Sequence, residues 1–210
     1  MYRNFGKRAV DIVVGFIGCI FFVIAFVFVA PAIYLTDKGP IFYNATRRGR
    51  NGKEFKMYKF RSMRVNSPNL KNSDGSTYNS DNDPRVTKIG RIMRKASIDE
   101  LPQFINVLIG DMSLIGPRPT LPNKPFSEVE PSTKRRYDVR PGITGYSQAY
   151  FRNSITQQEK FEHDCYYVDH VSFMLDIKVF FKTILSVVKR ENIYVEQPKA
   201  TETEKVGAEE

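Results

Sequence analysis

The residues with the clearest chemical potential lie in one stretch, SIDELPQFINVLIGDMSLIGPRP, at residues 97–119. Two neighbouring carboxylates, Asp99 and Glu100, follow a basic run, and a guanidinium, Arg118, stands between two prolines. Adjacent acids can hold a hard divalent cation while one of them attacks an electrophile, and basic flanks suit a phosphorylated substrate. The stretch is therefore a candidate site for metal-assisted chemistry on a phosphate.

The same residues also permit a structural interpretation. Ser97 followed three residues later by Glu100 has the spacing of a capping box, and acids in a first helical turn are stabilised by the helix dipole. A helix that begins here would also aim free N–H groups at a bound phosphate. The residues alone leave capping and catalysis both open.

Length and composition limit the classes of protein to consider. With 210 residues the chain can form one domain with a genuine core. Its net charge of +9 indicates anionic partners, which include nucleic acid, a phospholipid surface and nucleotides. Cys19 and Cys165 are too few and too far apart in sequence for a disulfide framework or a metal site.

The elements that must position the acids begin with an apolar segment. Residues 12–35 contain no charged side chain and are mostly Ile, Val, Phe and Ala. As a helix they would measure about 36 Å, enough for a hydrocarbon core of roughly 30 Å. We predict a membrane-inserted helix within residues 1–38. A secretory signal is disfavoured because the run is long and basic residues follow it.

Basic residues lie on both sides of this segment. Arg3, Lys7 and Arg8 precede it, and five more follow between residues 47 and 56. Because positive charge stays cytoplasmic, a re-entrant helix with both ends inside is favoured over a transmembrane one. Such a helix needs a break, for which Gly15, Gly18 and Pro31 are candidates, although none lies at its midpoint.

A basic strand region follows the apolar segment. Residues 41–43 read as a short strand after the Gly39-Pro40 turn, and residues 47–64 hold eight basic residues against one acid. Several of these charges are expected to meet anionic headgroups, at about 1 kcal/mol each. Lys59 and Arg61 would share one face of a strand, so they are candidates for binding substrate phosphate.

The remaining segments complete a helix-rich α/β fold with a small sheet. Residues 65–83 predict a polar loop and residues 128–136 a short surface helix. Two further helices are predicted over 156–168 and 172–189, and the second has the basic edge of a helix that lies in a membrane interface. Residues 39–190 form the predicted catalytic domain, and residues 191–210 a disordered acidic tail.

Three blocks occur in order behind the apolar segment: GPIFYNATRRGRNGKEFKMYKFRSM, SIDELPQFINVLIGDMSLIGPRP and RPGITGYSQ. Together they resemble the bacterial sugar transferase family, the single-domain polyprenyl-phosphate phosphoglycosyltransferases. The likeness is greatest to its small members that start assembly of a lipid-linked glycan, and it covers about residues 1–190. It implies a monotopic enzyme on the cytoplasmic face of the bacterial inner membrane.

The resemblance implies a two-step reaction. Asp99 attacks the phosphorus next to the sugar of a UDP-sugar and releases UMP, and the phosphosugar then passes to a polyprenyl (undecaprenyl) phosphate. Glu100 holds Mg²⁺ or assists proton transfer. An N-acetylated hexose is the expected sugar, and the product is the first membrane intermediate of a glycoprotein glycan or a polysaccharide. The basic surface then serves nucleotide and phospholipid rather than nucleic acid.

Four further residues are expected to bind the substrate. The flanking prolines restrict the backbone of Arg118, which suits a bidentate contact with phosphate. Arg140, before Pro141-Gly142, is a weaker candidate of the same kind. By resemblance Gln148 reads the base or the ribose, and Arg94 holds a phosphate or a lipid headgroup.

The sequence departs from the family pattern in three places. Phe22-Val23-Ile24 replaces a Ser-Pro pair in the membrane segment, Ala45 replaces a Gln, and Phe151-Arg152 replaces a Gly-Arg. The first change affects where the helix breaks, and the others lie where selectivity for sugar or base could be set. Two alternatives remain open: a glycosyltransferase that releases UDP, and a non-catalytic membrane-tethered binder of anionic partners.

Overall fold

The computed structural model describes residues 2–68, 70, 80, 83–152 and 154–189. Its helices are α1 (Lys7–Asp37), α2 (Lys88–Lys95), α3 (Gln103–Ile109), α4 (Pro131–Lys134), α5 (Tyr146–Tyr150), α6 (Gln157–Asp169) and α7 (Phe173–Lys189). Its strands are β1 (Ala45–Arg48), β2 (Glu54–Met57), β3 (Ser113–Ile115) and β4 (Gly142–Thr144). This content confirms the predicted helix-rich α/β class.

The strands form two ladders rather than one sheet. β1 and β2 pair antiparallel, with Arg48 opposite Glu54, and β3 and β4 pair parallel, with Ser113 opposite Gly142. The predicted strand at residues 41–43 is reduced to a single bridge between Phe42 and Phe60. That segment still pairs its backbone, because the Tyr43 N–H donates to the Lys59 carbonyl, but it does so outside a regular strand.

One face of α1 packs along the rest of the protein. Its buried residues fall into two groups, with Lys7, Asp11, Gly15 and Gly18 spaced as on one helical face near the start, and Val29, Ala30 and Ile33 near the end. The helix continues through Pro31. The glycines considered as break points instead let α3 approach, since a Cβ at Gly18 would overlap the ring of Phe104.

Both ends of α1 are attached to the same body. At its start Lys7 Nζ donates to Asp176 Oδ2 of α7 at 2.6 Å. At its end Asp37 accepts two hydrogen bonds of 2.6 Å from the guanidinium of Arg61. The two ends of the helix therefore cannot lie far from the surface of the domain.

An aromatic cluster joins the middle of α1 to the region of the acids. Phe22 and Phe26 of α1 contact Phe42 and Phe60, with ring centroids 5.5–6.3 Å apart. Phe60 is fully buried, and its N–H donates to the Asp99 carbonyl at 3.0 Å. The apolar helix thus packs directly behind the backbone of the candidate site.

The inner face of α7 combines the fully buried Val179 with buried polar residues, and its outer face is apolar. Asp176 and Ser186 are buried, where Asp176 accepts a hydrogen bond from Tyr167 and Ser186 donates one to the Ala149 carbonyl. The opposite side exposes large apolar side chains: Phe173, Met174, Phe180, Phe181, Ile184 and Leu185. A contiguous apolar surface of this kind is typical of a face that meets lipid or another protein.

The structure confirms some of the other predicted segments and corrects one of them. The helices predicted over 156–168 and 172–189 are confirmed as α6 and α7, and α6 begins with a capping box of Thr156 and Glu159. The surface helix predicted over 128–136 is only the single turn α4, which begins at Pro131 and is continued by a 3₁₀ turn at Arg135–Asp138. Most of the polar loop at 65–83 and the whole tail at 191–210 lie outside the described residues.

Candidate active site

Asp99 and Glu100 lie in a single 3₁₀ turn, Ile98–Glu100, between α2 and α3. The predicted capping box at Ser97 is wrong. Ser97 has φ 55°, in the left-handed region, and its side chain makes no capping hydrogen bond, whereas an N-cap residue needs extended backbone. Because α3 begins only at Gln103, the α-helix N-terminus expected at these acids is not there.

Lys59 lies between the two carboxylates. Its Nζ is 2.8 Å from Asp99 Oδ2 and 3.5 Å from Glu100 Oε1. The side chain of Asp99 is only 3% exposed, while that of Glu100 is 20% exposed. Glu100 therefore presents the more accessible carboxylate, and Lys59 neutralises the buried one.

Arg118 adds a second cation. Its Nη2 lies 3.6 Å from Glu100 Oε1, and its side chain is 56% exposed. Burial alone would raise the pKa of Glu100, but the charges of Lys59 and Arg118 outweigh it and hold this pKa below its usual value. Glu100 is therefore a carboxylate anion at neutral pH, in the form that can bind a metal ion.

Arg47 lies close enough to Arg118 for the two charges to interact, although its place in the basic run predicted a contact with headgroups. Burial and the charge of nearby Arg118 lower the pKa of its guanidinium. Within the described ranges no carboxylate pairs with Arg47. In the sequence, strand alternation could have distinguished Arg47 from Arg48, because neighbouring residues of a strand lie on opposite faces.

Arg61 lies elsewhere, although it was expected to share a face with Lys59. Its guanidinium binds Asp37, and its Nε donates to the Pro40 carbonyl at 2.5 Å. The chain leaves regular strand geometry after Met57, so the two-residue alternation no longer applies. Contact of Arg61 with a phosphate would require breaking its pair with Asp37.

The other three predicted binding residues are Arg94, Arg140 and Gln148. Arg94 Nε donates to Ser62 Oγ at 2.9 Å, and Arg140 Nε donates to the Gly110 carbonyl at 2.8 Å. Gln148 lies in α5, where its Oε1 is buried without a hydrogen-bond partner in the part of the chain that the structure describes. The structure does not bring Arg140 or Gln148 into contact with the acidic pair, and their roles stay predictions.

A buried ion pair connects Arg118 to α5, and sequence reasoning missed it. Arg136 Nη2 lies 2.5 Å from Asp164 Oδ2 and donates to the Arg118 carbonyl at 2.8 Å. The other oxygen of Asp164 accepts a hydrogen bond of 2.8 Å from Ser147. Because Arg136 and Asp164 are 28 residues apart, no local pattern could have paired them.

The two carboxylates are oxygen donors of the kind that a hard cation prefers. Among the described residues no group of three or more His, Cys, Asp or Glu could hold a metal. Magnesium commonly uses only one or two protein carboxylates and takes its other ligands from water and substrate phosphates. Asp99 and Glu100 can supply that number of oxygen donors.

Comparison with known proteins adds a family relationship. The profile of the family described as "Bacterial sugar transferase" matches residues 2–190. The uncharacterized sugar transferase EpsL of Bacillus subtilis (strain 168) is 43% identical over 166 residues, which cover 79% of each chain.

Two longer relatives carry names that specify a reaction. The Aeromonas hydrophila UDP-N-acetylgalactosamine-undecaprenyl-phosphate N-acetylgalactosaminephosphotransferase is 40% identical over 190 residues, which cover 88% of this chain and 44% of the relative. The Escherichia coli (strain K12) UDP-glucose:undecaprenyl-phosphate glucose-1-phosphate transferase is 40% identical over 185 residues, which cover 85% of this chain and 39% of the relative. The chain thus spans less than half the length of these two relatives.

Proposed function

This chain belongs to the bacterial sugar transferase family, and from that membership we propose that it transfers a sugar phosphate from a UDP-sugar to polyprenyl phosphate. The names of the two longer relatives support this reaction. The observation that carries the proposal is the contact of Lys59 with both Asp99 and Glu100, with Arg118 beside them. Carboxylates and cations at such distances can hold and attack a diphosphate.

In the first step a carboxylate oxygen of Asp99 attacks the phosphorus next to the sugar. A new O–P bond forms, the bond from that phosphorus to the bridging oxygen breaks, and UMP leaves with the bonding electron pair. An ionised carboxylate is a competent nucleophile toward phosphorus, and the acyl phosphate formed is activated for a second transfer. The matching position in the family motif supports Asp99 as the nucleophile.

In the second step a phosphate oxygen of the polyprenyl acceptor attacks the same phosphorus. The bond to Asp99 breaks, the carboxylate is regenerated and a polyprenyl diphosphate sugar is formed. This product would start a glycoconjugate, either a glycoprotein glycan or a polysaccharide.

Both steps bring an anion to an anion, so the charge of the donor must be neutralised. Glu100, with Asp99, would hold Mg²⁺, which supplies electrostatic stabilisation of the phosphate oxygens when it is bound. Arg118 and Arg47 would bind the non-bridging oxygens. Lys59 compensates the buried charge of the Asp99 carboxylate until the donor arrives.

The outer faces of α1 and α7 suit a membrane. Among the described residues α1 is the one helix whose length and composition would allow it to cross a bilayer. Its ends, however, bind Asp176 and Arg61 of the same domain, and α1 is one continuous helix through Pro31, which supports both ends lying on the same side of the membrane. We place the domain on the cytoplasmic face of the bacterial inner membrane, where basic flanks are retained.

Anionic phospholipid and polyprenyl phosphate are then partners on the same surface. The relatives' names include both N-acetylgalactosamine and glucose. We retain an N-acetylated hexose as the proposed sugar and test it against the others.

The deciding experiment incubates the full chain, in detergent or nanodiscs, with a panel of UDP-sugars, polyprenyl phosphate and Mg²⁺. The expected result is UMP release and a labelled phosphosugar adduct on Asp99, both lost in Asp99→Asn. Asp111→Asn serves as the control, because the Asp111 carboxylate lies beside the amide of Asn106 instead. Release of UDP would indicate simple glycosyl transfer, and normal turnover by Asp99→Asn would overturn the covalent mechanism.

A further inference from the structure

The backbone around Lys59 is held by the same segment that carries the acids. Just before it, the Tyr58 N–H donates to Asn106 Oδ1 at 2.9 Å. Just after it, the Phe60 N–H donates to the Asp99 carbonyl at 3.0 Å. The main chain that carries the ammonium between the two carboxylates is therefore attached on both sides, once to α3 and once to the acidic turn.

The side-chain amide of Asn106 makes a two-point contact with the end of β2. Asn106 is fully buried, and besides accepting from Tyr58 it donates from Nδ2 to the Lys56 carbonyl at 2.8 Å. The amide thus pairs with the main chain as a neighbouring strand would, at the place where β2 ends with Met57. Nδ2 also lies 3.4 Å from Asp111 Oδ2, and an asparagine at that position would keep an oxygen there.

Asn106 is itself held firmly. Its carbonyl accepts hydrogen bonds of 3.1 Å from the N–H groups of Gly110 and Met112. Its neighbour Val107 is fully buried in an apolar cluster with Met57 and Met112. Buried N–H and C=O groups are costly to leave without a partner. Loss of the Asn106 amide would therefore release the main chain of residues 56–58 from a fixed support.

We propose that Asn106 is a positioning residue for the transfer reaction, because its amide holds the end of β2 where the Lys59 ammonium lies between Asp99 and Glu100. Among the described residues its hydrogen bonds go to the main chain of β2 and its extension and to Asp111, and none goes to the two acids. Asn106 thus acts through Lys59. A misplacement of about 1 Å in an active site can cost up to about 100-fold in rate. The effect on turnover rests on the proposed function, whereas the placement of Lys59 can be measured independently of it.

The first test measures that placement without relying on turnover. The Lys59 side chain is 21% exposed, so an N-hydroxysuccinimide ester can acetylate it, and mass spectrometry follows the rate. Asn106→Ala in the full chain should raise this rate by about three- to tenfold, the effect expected for one hydrogen bond. Lys7, which pairs with Asp176 of α7, is the internal reference and should react as in the wild type. An unchanged rate at Lys59, or an equal rise at both lysines, would overturn the proposal.

A double-mutant cycle then tests whether the effect on turnover passes through Lys59. Asn106→Ala should lower kcat for UMP release by about three- to tenfold and leave the KM for polyprenyl phosphate unchanged. In a Lys59→Met background it should lower kcat no further, and losses that multiply would contradict the assignment. If Asn106→Ala does not fold, Asn106→Ser replaces it in both tests, because its hydroxyl can keep one of the two hydrogen bonds.

Ser186→Ala is the matched control for stability. It removes another buried side-chain hydrogen bond, the one of 2.9 Å to the Ala149 carbonyl, so it should lower the unfolding temperature without changing kcat or the labelling of Lys59. If the wild type releases no UMP while Asn106→Ala accelerates labelling at Lys59 alone, the function is overturned and the positioning stands. If the wild type releases UMP and labelling at Lys59 is unchanged, the positioning is overturned and the function stands.

Discussion

Lys59 Nζ lies 2.8 Å from Asp99 Oδ2, a carboxylate whose side chain is only 3% exposed. Removing a charge from water is costly unless a partner compensates it. The same ammonium also reaches Glu100, so one cation serves two acids at the point where a diphosphate is expected to bind. This arrangement determines what a change at Lys59 should do.

Replacing Lys59 with methionine should reduce UMP release at pH 7 by at least about tenfold and move the acidic limb of its pH profile upward. Lys59 and Arg118 together hold the pKa of Glu100 below its usual value. When Lys59 is removed this pKa rises, so the ionised form is lost at a higher pH. A pH–rate profile measures the shift. Lys56→Met, on the exposed side of β2, is the control, and an unmoved acidic limb would contradict the argument.

Arg47→Gln should raise the KM for the UDP-sugar by about tenfold, the usual loss for one charge-assisted hydrogen bond. The guanidinium of Arg47 is partly buried beside that of Arg118, and a bound phosphate would relieve their repulsion. Steady-state kinetics at varied donor concentration provide the measurement. As a control, Arg50→Gln removes an exposed guanidinium just beyond the end of β1 and should leave KM unchanged.

Gly18→Ala should destabilise the protein by about 1–3 kcal/mol, the common cost of overpacking. A methyl group at Gly18 would overlap the ring of Phe104 in α3. At an exposed helix position the same change would instead stabilise the protein by roughly 1 kcal/mol. The sign of the change in unfolding free energy therefore shows whether Gly18 is closely packed. Thermal unfolding in detergent, followed by circular dichroism, measures it. Ala9→Val adds bulk at an exposed position of α1 and should have little effect.

Single cysteines at Phe5 and Lys38 should be labelled from the same side of sealed vesicles by a membrane-impermeant maleimide. These residues lie at opposite ends of α1, whose terminal contacts are to Asp176 and Arg61 of one domain. The background lacks Cys19 and Cys165, and a cysteine at Lys53 marks the side of the domain. Labelling of the two ends from opposite sides would show that α1 spans the bilayer.

The features that depend on local pattern could be predicted from the sequence. α6 and α7 match the helices predicted over 156–168 and 172–189. Residue type and adjacency made the acidic pair a candidate, and the family resemblance supplied its expected catalytic role. The left-handed backbone of Ser97 was not predicted, because the spacing of residue types does not specify φ at a single non-glycine residue. A capping motif in a sequence is only a spacing of residue types, and the tertiary structure determines whether the capping hydrogen bonds form.

The arginines could not be sorted by sequence for a related reason. Arg61 pairs with Asp37, which is 24 residues away, and Arg136 pairs with Asp164, which is 28 residues away. Neither separation in sequence corresponds to a helical or strand repeat. The basic residues that are available to bind a substrate can therefore be identified only once the long-range ion pairs are known.

The stacking of Phe22 and Phe26 on Phe42 and Phe60 has a practical consequence for handling the protein. Removing residues 1–37 would uncover the ring of Phe60 next to Lys59, so the shortened chain would lose packing behind the candidate active site along with its exposed apolar helix. A water-soluble variant is better obtained by introducing polar residues at the exposed positions of α1 and keeping its buried residues unchanged.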